Sequence, residues 1–159
     1  MEPEINKSSR HSKITGDFAE HLVLYWLSKY GFESARLDHT GIDLIANNPH
    51  TKEVMGISVK SRSKNPGKEK TSLRISSDDL EKASQACVAF HCIPYFAIVA
   101  DLKGEIFVFI LTLERLRGLY PTKGKNISWA MTEKRVSSYL NDPEIKIFKL
   151  SSEIRHWWQ

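Results

Sequence analysis

The chain has 159 residues, of which 41% are hydrophobic and 26% charged, with a formal net charge of +4. This is the balance of one globular domain whose core needs no disulfides. No apolar run is long enough to span a membrane, the N-terminal stretch lacks the apolar segment of a secretory signal, and the mild positive charge favours a polyanionic partner without identifying it. A cytoplasmic protein is expected.

In chain order, residues 1–12 read as a flexible basic arm, in which Lys7 and Arg10, with Lys13 just beyond, stand among Ser8, Ser9 and Ser12. Such an arm either contacts phosphates or is simply solvated. A helix is expected from Thr15, as N-cap, to Tyr30, with Asp17 and Glu20 near its positive end and Gly31 as its stop. Phe18, Leu22 and Tyr25 line one side, Val23 and Leu27 another, and Trp26 widens the apolar surface, so the helix reads as sandwiched. Glu20 falls in the stripe of Val23 and Leu27. A carboxylate there either turns out to water or has a partner or a function.

Strands are expected at Phe32–Leu37, Ile42–Ala46 and Val54–Lys60, the last two joined by a turn at Asn47-Asn48-Pro49-His50. After a short extended run at Ser72–Ile75, Ser76 opens a helix that carries Leu80, Ala83, Cys87 and Phe90 at helical spacing. Tyr95–Ala100 is almost wholly apolar, as in a strand buried on both faces, and Glu105–Leu111 is its hairpin partner. A short helix at Leu113–Leu119, an irregular stretch at 122–130, a helix at Glu133–Leu140 and an edge strand at Glu144–Leu150 complete the chain. Trp157 and Trp158 in the tail either dock on the core or form a dimer contact. Cys87 and Cys92 flank His91, but no second Cys/His cluster would complete a zinc site, so buried thiols in a reducing compartment are expected. The order of elements fits an α/β domain over residues 13–159, with a mixed central β-sheet flanked by helices.

The chemistry concentrates in the stretch Gly41–Ser63. The strand period of two places Ile42, Leu44 and Ala46 on one face and Asp43 with Ile45 on the other. In the next run Met55, Ile57 and Val59 share a face, and Ser58 and Lys60 lie opposite. If both apolar faces pack on one core, Asp43 and Lys60 project together, either as a half-buried ion pair or as part of a metal-and-phosphate site. Beyond them stand Arg62, Lys64, Lys68, Lys70 and Arg74 against one acid, Glu69, in a loop that is either solvated or tracks phosphates.

A helix carrying Glu20, a strand with Ile42-Asp43, a turn, and a strand ending Val59-Lys60-Ser61-Arg62 together resemble the PD-(D/E)xK nuclease superfamily, the restriction-endonuclease-like fold. Within it the chain is most similar to archaeal Holliday-junction resolvases, with Gly31-Phe32 as the entry to the first strand. The resemblance covers about residues 13–120. It implies a metal-dependent DNA endonuclease that hydrolyses phosphodiesters, acts on branched DNA in the resolvase branch, works as a homodimer and needs Mg²⁺ or Mn²⁺ but no small-molecule cofactor. On this reading Asp43 bridges the metal and Glu20 is a water-mediated ligand. The Val59 backbone carbonyl completes the shell, and Lys60 orients the attacking water and offsets developing charge. Arg10, Lys13, Arg62, Lys64, Lys68 and Lys70 would contact DNA. The pattern departs at Ser58, where an acid is expected two residues before the lysine. Either Asp43, Glu20 and Ser58 suffice, or a carboxylate such as Asp38 or Glu33 substitutes in space, or the chain kept the fold as a non-catalytic DNA-binding or assembly protein.

Overall fold

The computed structural model describes residues 6–65, 68, 72–102, 104–121 and 125–158. Helix α1 (His11–Lys29) starts a turn earlier than expected, behind Arg10, which makes no side-chain cap bond. Thr15 therefore lies inside the helix, where its hydroxyl donates to the His11 carbonyl at 2.7 Å instead of capping. Gly31, with φ +89°, supplies the left-handed residue that ends it, as expected. Ala19, Leu22, Val23 and Leu27 are buried, whereas Ile14, Phe18 and Tyr25 are 53%, 44% and 56% exposed. The helix thus lies on one face of a sheet rather than between two layers. Periodicity showed an unusually wide apolar surface; Val23, Leu27 and Leu22 pack on the sheet with Trp26 stacked on Phe148, while Phe18 and Tyr25 stay exposed.

Strands β1 (Glu33–Arg36), β2 (Leu44–Asn47), β3 (Val54–Ser63), β5 (Ile93–Leu102), β6 (Glu105–Thr112) and β8 (Lys146–Ser151) form a sheet ordered β1-β2-β3-β5-β6-β8. β3 and β5 are parallel and the other neighbours antiparallel. A parallel pair needs a crossover, and helix α2 (Ser77–Ala89), preceded by the short β4 (Leu73–Ile75), provides it. Ser76 caps α2, its side chain accepting from Asp79 N. The expected mixed sheet flanked by helices is the one observed, and β5 sits at its centre with Phe96 to Ala100 buried.

The two faces of the sheet build separate cores. Under α1, Leu44, Ala46, Met55 and Ile57 pack with Ala97, Val99, Val108 and Ile110, and Val59 lies against them. On the opposite face Phe96, Ile98, Phe107, Phe109 and Leu111 meet Leu80 and Ala83 of α2 and Leu113 and Leu116 of α3 (Leu113–Leu119). Ile42 departs from its expected face. It joins Ala86 and Cys87 of α2, with Leu37 and Cys92 beside them. The residue precedes the β2 ladder, so the two-residue alternation does not yet govern it.

The C-terminal part holds a strand that sequence missed. Within the stretch expected to be irregular, β7 (Ile127–Trp129) pairs with β4, and Trp129 is fully buried between Phe109 and Tyr139. Residues 122–124 of that stretch lie outside the described residues. Three residues show no period, and Trp129 gains its place from long-range packing. Helix α4 (Glu133–Leu140) forms behind the Thr132 cap, and β8 takes the expected sheet edge. Trp157 and Trp158 meet edge to face, 51% and 84% exposed, and do not dock on the core. No described helix is long and apolar enough to cross a membrane.

Candidate functional site

Asp43 sits where the chain enters β2. Its N–H donates to the Ile57 carbonyl at 2.8 Å, its own carbonyl accepts from Leu37 N at 2.8 Å, and its Oδ2 accepts from Val59 N at 2.7 Å. Asp43 directly precedes the paired stretch, whose first step sets Leu44 opposite Ile57. These bonds fix a half-buried carboxylate against β3. Burial pushes the Asp43 carboxyl above its ordinary range. The Val59 N–H opposes that, Glu20 adds to it, Lys60 opposes it, and Asp79 adds to it again. Glu20, Lys60 and Asp79 therefore all lie close enough to act on Asp43, with burial the largest influence on it.

Each neighbour is already engaged. Glu20 Oε2 accepts from Arg36 Nε at 2.9 Å and also from its Nη2. Lys60 Nζ stands 3.2 Å from Asp79 Oδ2, with the two side chains 27% and 37% exposed. Burial pushes the Asp79 carboxyl up, but Lys60 and hydrogen bonds from Ser76 and Lys60 outweigh it and hold it below the usual carboxylate range. Ser58, 3% exposed, is a buried residue of β3.

Glu20 and Lys60 thus both act on Asp43, with Glu20 turned to Arg36 and Lys60 to Asp79, and Ser58 stands two residues before Lys60 on β3. Sequence reasoning missed both partners. Arg36 was one residue of a short strand, and Asp79 read only as an acid suited to a helix N-terminus. Neither Asp38 nor Glu33 is among the charges acting on Asp43. Asp38 is exposed, and Glu33 pairs with Asn47, at the end of β1 away from Arg36 and Leu44. Among the described residues, no three His, Cys, Asp or Glu side chains converge as a metal cluster.

Basic side chains gather where β3 ends. Lys64 Nζ donates to the Ser72 carbonyl at 3.3 Å, and Lys7 Nζ donates to the Ser63 carbonyl. Burial lowers the proton affinity of Lys64, and the like charges of Arg62 and Lys7 lower it further. The first turns of α1 lie over this end, because His11, Ile14, Thr15 and Phe18 line one pocket with Arg62, Ser63, Val99 and Asp101. Arg10 and Lys13 accompany those turns, both exposed, with Lys13 3.4 Å from Asp17. Lys68 N donates to Asn65 O at 3.0 Å, and Lys70 lies outside the described residues. The thiols of Cys87 and Cys92 are free, Cys87 buried and Cys92 partly so. Burial and the Cys92 neighbour push Cys87 up to about 12.

No protein-family model and no curated protein sequence matches the chain. Among solved structures it is similar to Hjc, a Holliday junction resolvase from the archaeal hyperthermophile Archaeoglobus fulgidus. The identity is 21% and the TM-score 0.56, over 77% of this chain and 88% of that one. A bacterial homing endonuclease aligns over 77% of this chain and 80% of its own at 12% identity, with a TM-score of 0.44. The chain has the restriction-endonuclease-like nuclease fold that its element order predicted.

Proposed function

We propose that the chain is a metal-dependent endonuclease that hydrolyses DNA phosphodiesters at the β2–β3 junction. The observation that carries this reading is the meeting of Glu20, Asp43 and Lys60, from three separate elements, beside a cluster of cations at the end of β3. The likeness of its fold to that of Hjc, a Holliday junction resolvase, supports it.

The residues fit a Mg²⁺ or Mn²⁺ ion in type. Carboxylate and carbonyl oxygens are the hard donors such ions take, and burial, with Glu20 and Asp79 adding to it, disfavours the Asp43 anion despite Lys60. Asp43 would hold the ion, with Glu20 acting through a water and the Val59 carbonyl completing the shell. When bound, such an ion lowers the pKa of its water and clamps a phosphoryl oxygen. Lys60 orients the attacking water and offsets charge on the phosphoryl oxygens as the water oxygen bonds to phosphorus and the bridging P–O bond breaks. Binding requires Glu20 to leave Arg36 and Lys60 to leave Asp79, since both pairs now satisfy charges that ion and substrate would satisfy instead.

Arg62, Lys64, Lys68 and Lys70, with Arg10 and Lys13, are proposed to follow the phosphate backbone. The likeness to a Holliday junction resolvase favours a branched substrate. Resolving a branch takes two cuts, one per site, which favours a homodimer. Free Cys87 and Cys92 thiols suit a cytoplasmic setting.

A second reading is favoured by Ser58: the same fold binding DNA without cutting it. Strand cleavage separates the two. Purified protein is expected to cut DNA with Mg²⁺ or Mn²⁺ and not with chelator. Asp43→Ala and Lys60→Ala should each lower the rate by at least ~100-fold, on the scale of removing one transition-state contact. Undiminished cutting by either variant would sink the nuclease assignment. Salt-sensitive binding without cutting would select the second reading. Neither binding nor cutting would leave Asp43 and Lys60 as structural ions.

A further inference from the structure

The seating of α2 bears on the missing acid at Ser58. Two glycines let this helix press against the strands of the site. A Cβ on Gly41 would stand 2.3 Å from the Lys82 carbonyl oxygen and 2.7 Å from Ala86 Cβ. A Cβ on Gly56 would stand 2.5 Å from Cys87 Sγ and 2.6 Å from Cys92 Sγ. Only backbone fits at both contacts.

From that anchor the two elements run in opposite senses. β3 advances from Gly56 to Lys60, about 13 Å at ~3.3 Å per residue. α2 runs back from Cys87 to Asp79, about 12 Å at ~1.5 Å per residue. The matched lengths bring the first turn of α2 to Lys60, where Asp79 Oδ2 meets Nζ at 3.2 Å. Ser76 Oγ accepts from Asp79 N at 3.1 Å and fixes that turn. Asp79 also acts on Asp43 from this position. The pair is half-buried, with side chains 27% and 37% exposed, and ties the start of α2 to β3.

We infer that Asp79, delivered by α2, is the acid that stands in for Ser58, supplying carboxylate charge beside Lys60 toward a divalent cation held at Asp43. The inference rests on the metal-dependent reading above. It assigns the helix a second role beyond joining β4 to β5. The acid that the strand lacks comes across from the facing helix, and Lys60 neutralises it while no cation is bound. Asp78 gives an internal contrast. It lies one residue earlier on the same turn and pairs with Lys82 at 2.8 Å, its side chain 70% exposed.

The test measures Mn²⁺ binding by electron paramagnetic resonance on the full-length protein, with DNA cleavage as a second readout. Asp79→Asn keeps the size of the side chain and removes its charge. It is expected to weaken Mn²⁺ binding about tenfold or more, on the scale of losing a group that supports a metal ligand set. Asp78→Asn removes the same charge from the same helix turn and is expected to leave binding unchanged. Ser58→Asp combined with Asp79→Asn is expected to recover binding. If that pair does not fold, Asp79→Glu serves instead and is expected to retain it. Unchanged Mn²⁺ affinity in Asp79→Asn, or equal losses in the Asp78 and Asp79 variants, would overturn the inference. Wild-type cleavage together with normal Mn²⁺ binding by Asp79→Asn would remove Asp79 alone and leave the nuclease reading standing. Loss of Mn²⁺ binding in Asp79→Asn with no cleavage by wild type would do the reverse.

Discussion

A carboxylate buried against a strand and facing other acids is held in its folded position at a cost. Asp43 has a folded pKa above the ordinary value of 3.8, chiefly through burial. The folded state thus binds its proton more tightly than the unfolded chain does. Stability from this group is fully present below 3.8 and is lost as pH rises through the raised pKa. Asn in its place keeps an acceptor for Val59 N and removes the charge. Asp43→Asn is therefore expected to be more stable than wild type at neutral pH and to lose that advantage near pH ~3. Thermal melts at both pH values read this out, at about 2–4 °C per kcal/mol for a chain of this size. A destabilised Asn variant at neutral pH would mean that the carboxylate is structural. Cation binding competes with the same proton, so cleavage should rise with pH through and above the carboxylate range.

The residues that bear chemistry were legible because their types are unusual where they stand: an acid in an apolar helix stripe, and an acid and a lysine in alternating strands. Arg36 and Asp79 were not, because their roles arise from contacts between a strand and a helix distant in sequence. Arg36 reaches back sixteen positions to Glu20, and Asp79 meets Lys60 from a helix whose own start explained it fully.

Elements were legible where caps and periods agreed. Ser76 opens α2 as expected, whereas α1 starts at His11 without a side-chain cap bond, which a cap-based reading places too late. β7 has too few residues to show alternation and exists because Trp129 fills the second core. Trp129→Ala should cost about 3–5 kcal/mol in urea unfolding, and a loss under ~1 kcal/mol would show that the β4–β7 pair and α4 are not part of the cooperative core. Gly56→Ala tests the seating of α2. The added methyl meets two sulfurs at 2.5 and 2.6 Å, and should cost about 1–3 kcal/mol by overpacking. Wild-type stability in that variant would show that α2 can shift away from β3.

At the scale of the molecule, the α/β class and mixed sheet followed from the order of elements, and the structural likeness bears that order out. Charge placement makes the corresponding functional prediction. Arg62 and Lys64 stand together at the end of β3 with Lys7 nearby, an arrangement of like charges that suits a polyanion. Replacing both Arg62 and Lys64 by Ala should weaken DNA binding across sequences and reduce the slope of log affinity against log salt by about two. An unchanged slope would place the DNA elsewhere on the surface.

The most direct measurement of the central claim is a cleavage time course on a four-way DNA junction with Mn²⁺ in isotopically labelled water, using wild type and Asp43→Ala together. The account predicts strand scission by wild type alone, with one labelled oxygen in each newly formed terminal phosphate. Intact DNA with wild type bound to it, or equal cleavage by both proteins, would contradict it.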